Sequence, residues 1–265
     1  MNWLDTIVAH KKQELIDAKK AVPLEFYQSR IGENHPKHSL LKTMKQQGGF
    51  HFIGEVKRAS PSRGIINSDF DPLQQAKCYT KGGASAISIL TDSQFFMGNL
   101  ADLQVIREQI DLPLLRKDFI VDPYQIYESR YYQADLILLI ARILSPKQIT
   151  QFCELATKLA LEVLLELATE NDLVKIPSNH SNLILAINNR DLANFEVDLN
   201  NSFRLKPLLP DDIPVISASG ISNTDECVRL FKNGFAGALI GESLMRDREP
   251  DSLLKKFRSA IANAG

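Results

Sequence analysis

A carboxylate and an ammonium stand two residues apart at Glu55 and Lys57, within the run Glu55-Val56-Lys57-Arg58-Ala59-Ser60-Pro61-Ser62-Arg63-Gly64. The run follows a short apolar stretch, Phe50 to Ile53, and ends in turn-forming residues, so it reads as a strand end passing into a surface loop. Side chains two apart on a strand share a face, which presents the two charges together. That pattern fits either an ordinary, weak surface ion pair or one wall of a site that moves protons. Polar residues recur behind other apolar runs: Arg116-Lys117-Asp118-Phe119 after Leu114-Leu115, Glu166 after Leu164-Leu165, and Asn188-Asn189-Arg190-Asp191 after Ile187. Each has a plain reading taken singly, a solvated lysine or a turn stabilised by its own side chains. Gathered at one place, two lysines, two glutamates and an asparagine would be an acid–base cluster with perturbed proton affinities.

Those residues need elements that bring them together. From Phe50 onward the chain repeats a short apolar run, a polar loop and a helical pattern, with strands expected at 51–56, 85–90, 113–116, 135–140, 162–166, 183–187, 214–218 and 237–240. Helical periodicity is expected over 72–81, 100–109, 124–132, 146–159, 224–233 and 251–261, with short or weakly patterned helices around 171–175 and 202–208. Pro72, Pro123 and Pro146 sit at first-turn positions behind Asp71, Asp122 and Ser145 as caps. Strand alternating with helix implies parallel strands, and runs such as Leu136 to Ile140 imply burial on both faces. Eight such units in this length match a (β/α)8 barrel, an α/β fold, better than an open dinucleotide-binding sheet, whose Gly-rich fingerprint is missing after the first strand. Ahead of the barrel, residues 4–20 read as an amphipathic helix carrying Leu4, Ile7, Val8, Leu15 and Ile16. A second short helix includes Leu40, Leu41 and Met44, after the breakers Gly32 and Pro36 and before Gly48-Gly49. This extension over 1–49 either covers apolar surface or acts as a lid, and the whole of 1–265 is expected to be one domain.

Composition narrows the partners. Lys plus Arg (31) nearly balances Asp plus Glu (32), so no global field favours nucleic acid or an anionic membrane surface, and any anion site must be local. Cys78, Cys153 and Cys227 are far apart inside helical segments, which suits apolar residues in a reducing compartment and makes a zinc site unexpected. The start has no basic segment followed by an apolar core, and the most apolar stretch is too short to span a bilayer, so a cytoplasmic protein is expected.

In such barrels function collects at the C-terminal ends of the strands. There the small residues of Ser217-Ala218-Ser219-Gly220 and Gly241-Glu242-Ser243 let the backbone approach a ligand, and their turns can aim N–H groups at an anion. A phosphorylated small molecule is the natural occupant.

These residues carry a resemblance. Glu55-Val56-Lys57-Arg58-Ala59-Ser60-Pro61-Ser62, Leu90-Thr91-Asp92, Arg116-Lys117-Asp118-Phe119-Ile120, Ile187 to Leu192, Ser219-Gly220-Ile221 and Leu239 to Met245 together resemble the indole-3-glycerol phosphate synthase family of the tryptophan pathway. The resemblance covers nearly the whole chain. It implies a lyase (carboxy-lyase) that closes the ring of 1-(2-carboxyphenylamino)-1-deoxyribulose 5-phosphate and then loses carbon dioxide and water. It also implies that Lys117 protonates the ketone oxygen and that Lys57 holds the substrate carboxylate and donates to the leaving hydroxyl. Glu55 and Glu166 match the family's two carboxylates, with the steps left undivided between these pairs. Asn188 and Ser219 match substrate-orienting positions. Ser60, Arg190, Gly220, Gly241 and Glu242 match substrate and phosphate contacts, the last two mainly through backbone, and Phe95 and Phe119 are similar to the apolar walls for the aryl ring. No metal or organic cofactor is implied, and association with other enzymes of the pathway is an open expectation. Two positions depart from the pattern: Ala218 stands where the family commonly has Glu before Ser-Gly, and Ala168 where it has His. The alternative is a weak or re-purposed paralogue that binds another phosphorylated aryl or amino sugar.

Overall fold

The computed structural model describes residues 3–32, 38–61, 64–66, 70–178, 181–191 and 196–265. Pro36, Ser62, Arg63 and Leu192, which the sequence reading used, lie outside the described residues.

Among the described residues, eight parallel strands close into one barrel: β1 (His51–Val56), β2 (Ala86–Leu90), β3 (Leu114–Lys117), β4 (Leu136–Ile140), β5 (Glu162–Leu167), β6 (Leu183–Asn188), β7 (Val215–Ala218) and β8 (Gly237–Ile240). Each pairs with its neighbours in chain order, and β8 returns to β1 through Gly237 opposite His51. Every expected strand is present, shifted by at most one residue at an end. The apolar runs work because both faces are buried. Leu136, Leu138 and Ile140 of β4 join the cluster inside the barrel, while Ile137 and Leu139 join the layer between strands and helices.

The same period of two sets the site. Ile53, Leu115, Leu164 and Ala186 belong to the inner rows, and the next member of each row is Glu55, Lys117, Glu166 and Asn188. The polar residues are therefore the last inward positions of β1, β3, β5 and β6, where the packed interior ends. The helices that follow begin at the expected caps: Asp71, Asp122 and Ser145 each accept hydrogen bonds from the first turns of the helices they precede.

The leading segment comprises three helices, α1 (Trp3–Ala21), α2 (Leu24–Arg30) and α3 (Leu40–Gln47). They divide between the two ends of the barrel. Leu40, Leu41 and Met44 of α3 join the inner cluster, and Glu162, the first residue of β5, accepts from the N–H groups of Leu40 and Leu41 at 3.1 Å. That carboxylate sits on the helix N-terminus, where the dipole favours it. Leu4 and Ile7 of α1 join the same inner cluster, and Lys11 of α1 pairs with Asp92 and Asp118, just beyond the C-terminal ends of β2 and β3. Besides short helical turns such as Ser93–Phe96 and Ala141–Ile143, two further elements were not expected from the sequence. One is α2, which stacks Tyr27 on Tyr124 at 5.3 Å. The other is an antiparallel hairpin, Ala59–Ser60 with Gly64–Ile65, where a plain loop was expected after β1. Both are too short for a periodicity signal. Among the described residues no helix is long and apolar enough to cross a membrane.

Candidate active site

The strand ends surround a cavity of about 610 Å³, and every expected site residue except Phe95 lines it. Its first wall is Glu55. The carboxylate is buried and accepts from Lys57 Nζ at 2.6 Å through Oε1, while Lys117 Nζ lies 3.8 Å from Oε2. The pair is thus no surface ion pair; one buried carboxylate serves two lysines on adjoining rows. Burial pushes the Glu55 carboxyl up, but Lys57, Lys117 and Arg190 together outweigh it and hold the group below the ordinary carboxylate range. The neighbouring cations therefore favour the charged form of Glu55.

Gly241, on the neighbouring strand end, makes that placement feasible. A β-carbon there would stand 2.4 Å from Glu55 Oε1, so only glycine leaves room for the carboxylate. Across the cavity, Glu166 accepts from Asn188 Nδ2 at 2.9 Å, and the Asn188 oxygen is occupied by the backbone N–H of Arg190 at 2.9 Å. With its oxygen engaged, Asn188 can turn only its amino group to Glu166, which fixes the orientation of the amide.

The turn after β7 is strained. Ser219 has φ of 69° and Gly220 of 79°, and left-handed geometry at the serine costs roughly 1–2 kcal/mol. Asn189 holds it. Its amino group donates to Ser217 Oγ (2.9 Å), Ala218 O (3.0 Å) and Ser219 O (2.9 Å), while its oxygen accepts from the Ser202 N–H and hydroxyl at 3.0 and 2.8 Å. Asn189 stands out in the sequence only as an uncharged, multivalent side chain at a strand end, one residue out of phase with the inner row. At Gly220, an added β-carbon would meet Val197 Cγ1 at 2.5 Å.

Two expectations change. Phe95 does not line the cavity; its ring packs edge-on to His10 of α1 with centroids 5.4 Å apart, and Phe96 lines the wall in its place, 6.0 Å from Phe119. Both belong to the short helix Ser93–Phe96, where successive side chains point about 100° apart, so only one can face inward. Glu242 contributes a side chain as well as backbone: its carboxylate is 3.2 Å from Arg190 and 3.2 Å from Arg246, bracing both cations beside the β8 turn. Ala218 lies on the wall next to Asn188 in register, presenting a methyl group there.

Beside Lys117, Asp118 turns to a different set of partners. It accepts from Thr91 Oγ1 at 2.7 Å and pairs with Arg116 at 3.0 Å and with Lys11 of α1 at 3.1 Å. Burial pushes its carboxyl up, and Arg116 and Lys11 reverse this, holding it well below the carboxylate range. Lys11 also pairs with Asp92 at 2.9 Å and Glu14 at 3.0 Å. Lys11 was missed because a helical lysine ordinarily reads as solvated. The available signal was its place midway between Ile7 and Leu15, on the apolar stripe.

The geometry supplies two cations on one buried carboxylate, a second carboxylate on an amide, an aromatic wall and a glycine-lined corner beside Arg190 and Arg246. Known proteins share both its scaffold and its sequence. A solved structure of 3-hexulose-6-phosphate synthase from Salmonella typhimurium superposes with a TM-score of 0.65 at 12% identity, covering 82% of this chain and 100% of that one, which speaks for the fold alone. An indole-3-glycerol phosphate synthase from Lacticaseibacillus paracasei is 41% identical over 248 residues, 94% of this chain and 92% of that one. A synthase of the same name from Dehalococcoides mccartyi is 44% identical over 246 residues, covering 91% and 94% of the two chains. The family model described as indole-3-glycerol phosphate synthase matches residues 4–257, a span that contains every residue of the cavity wall. The chain belongs to the indole-3-glycerol phosphate synthase family.

Proposed function

We propose that this cavity closes the ring of 1-(2-carboxyphenylamino)-1-deoxyribulose 5-phosphate and expels carbon dioxide and water to give indole-3-glycerol phosphate. The observation that carries the assignment of roles is the convergence of Lys57 and Lys117 on the buried Glu55. Attack of the aryl carbon on the ketone puts negative charge on its oxygen, and Lys117 protonates it as the bond forms. Lys57 meets the substrate carboxylate and later delivers a proton to the departing hydroxyl. Glu55, kept ionised by its cations, holds both ammonium groups at working height. Proton acceptance then falls to Glu166, whose partner is the neutral Asn188 amide rather than a cation. Phe96 and Phe119 together form one apolar wall for the aryl ring, and Ser60, Ser219, Gly220 and the Gly241-Glu242 turn, with Arg190, hold the phosphate end.

The chain works as one domain under this proposal, its three leading helices serving the barrel's two ends. A cytoplasmic setting, alongside the other enzymes of tryptophan synthesis, belongs to the same reading and is supported by the three free cysteines in separate helices. The re-purposed paralogue gains no support from any particular observation.

Lys117→Ala tests the central role. With the carboxyphenylamino ribulose phosphate as substrate and indole fluorescence as the readout, the variant is expected to lose at least about a thousandfold in kcat with KM changed little, because a general acid acts in the transition state. Near-normal turnover by the variant would remove Lys117 from the acid's role.

A further inference from the structure

Lys11 is a cation at a position where packing calls for a hydrocarbon. Leu4, Ile7 and Leu15 are the other buried residues of α1, and the spacing of three and four puts Lys11 on their stripe, 1% exposed. A leucine there would bury the helix without the cost of dehydrating an ammonium. The charge is kept instead by two carboxylates with almost no exposure, Asp92 at 2.9 Å and Asp118 at 3.1 Å, and by the half-exposed Glu14 at 3.0 Å. Burial works against the ammonium, and Asp118, Asp92 and Glu14 reverse this, leaving the lysine firmly charged.

The two buried carboxylates belong to different walls of the cavity. Asp92 caps the helix Ser93–Phe96 by accepting from the Phe95 N–H at 2.7 Å, and that helix carries Phe96. Asp118 accepts from the Phe119 N–H at 2.8 Å and separates Lys117 from Phe119. Arg116 and Thr91 already bind Asp118 from below, so what Lys11 adds is the tie from Asp118 to Asp92. We propose that Lys11 is a positioning residue for the reaction, clasping the Phe96 wall to the Lys117–Phe119 wall so that α1 is a working part of the site. The proposal rests on the synthase reading above and extends it to a residue that lines no part of the cavity.

The test compares the full-length protein with Lys11→Met, Lys11→Arg and the double variant Lys11→Met with Asp92→Asn. The double variant removes one buried charge of each sign, and asparagine still caps the helix, so it avoids the unpaired buried carboxylate that the single change leaves and better preserves the fold. Wild-type turnover is measured first, because its absence would strike the synthase reading and not the clasp. Loosened walls are expected to raise KM at least about threefold and lower kcat about tenfold in Lys11→Met and in the double variant, with Lys11→Arg recovering most of the loss. A mere loss of folded protein would lower kcat in proportion to the folded fraction and leave KM alone. The clasp is overturned if the folded double variant keeps wild-type kcat and KM, or if activity falls only as the circular-dichroism signal of folded protein falls.

Discussion

Glu55 is a buried carboxylate shared by two lysines, and its neighbours explain how it can be so. The contact with Gly241 crosses from β8 to β1, so it exists only once the barrel has closed. Gly241→Ala is expected to leave the fold intact, push the Glu55 carboxylate off its lysines and cut kcat by about a hundredfold, since shifts of an ångström have that effect on preorganised groups. Steady-state kinetics with a thermal melt checks it; unchanged kcat would mean the carboxylate's position is unimportant. At this scale the sequence was legible where side-chain parity extends a strand's inner row, as it does for Glu55, Lys117, Glu166 and Asn188. It was not legible where the partner lies across the barrel, as for Gly241, or where a four-residue helix decides between Phe95 and Phe96.

The elements that carry these residues are fastened by buried polar side chains. Asn189 ties β6 to the strained turn after β7 and to Ser202 of the next helix. Removing it in Asn189→Ala leaves several buried groups unpaired, and a loss of about 3 kcal/mol in urea unfolding is expected, with weaker substrate binding as the Ser219-Gly220 turn relaxes. The α1 helix is fastened by the Lys11–Asp118–Arg116 cluster, and its attachment is acid-sensitive. Asp118 is held below its ordinary value of 3.8, so the stability it lends is fully present above that pH and is lost as the pH falls beneath it. Trp3, the chain's single tryptophan, sits on α1 and reports the event. Its emission is expected to hold constant from pH 7 to about pH 4 and to change only at more acid pH, whereas Asp118→Asn is expected to shift the change upward; the same profile in Asp118→Asn would show that the cluster does not fasten the helix. Strand bounds and helix caps were legible because each is a local signal. The α2 helix and the hairpin after β1 were not, being set by tertiary contacts such as Tyr27 on Tyr124.

At the scale of the molecule, the barrel separates two tasks around one cavity. The lysines and Glu55 lie on β1, β3 and the loop that follows β1, and the corner proposed for the phosphate lies on the turns after β7 and β8. Binding at the second can therefore be used to orient atoms at the first. A substrate lacking the 5-phosphate is expected to lose about a thousandfold in kcat/KM, with part of that loss in kcat, because remote binding energy serves the transition state. Loss confined to KM would mean that the corner only holds the ligand. Ala218 is the one position on the wall where the chain departs from the resemblance that its motifs carry, and the proposed role of base rests on Glu166, oriented by Asn188. The most direct measurement is turnover of 1-(2-carboxyphenylamino)-1-deoxyribulose 5-phosphate by the purified chain, followed by indole fluorescence. Steady formation of indole-3-glycerol phosphate without added factors is the expected result, and no product at micromolar enzyme would contradict the account.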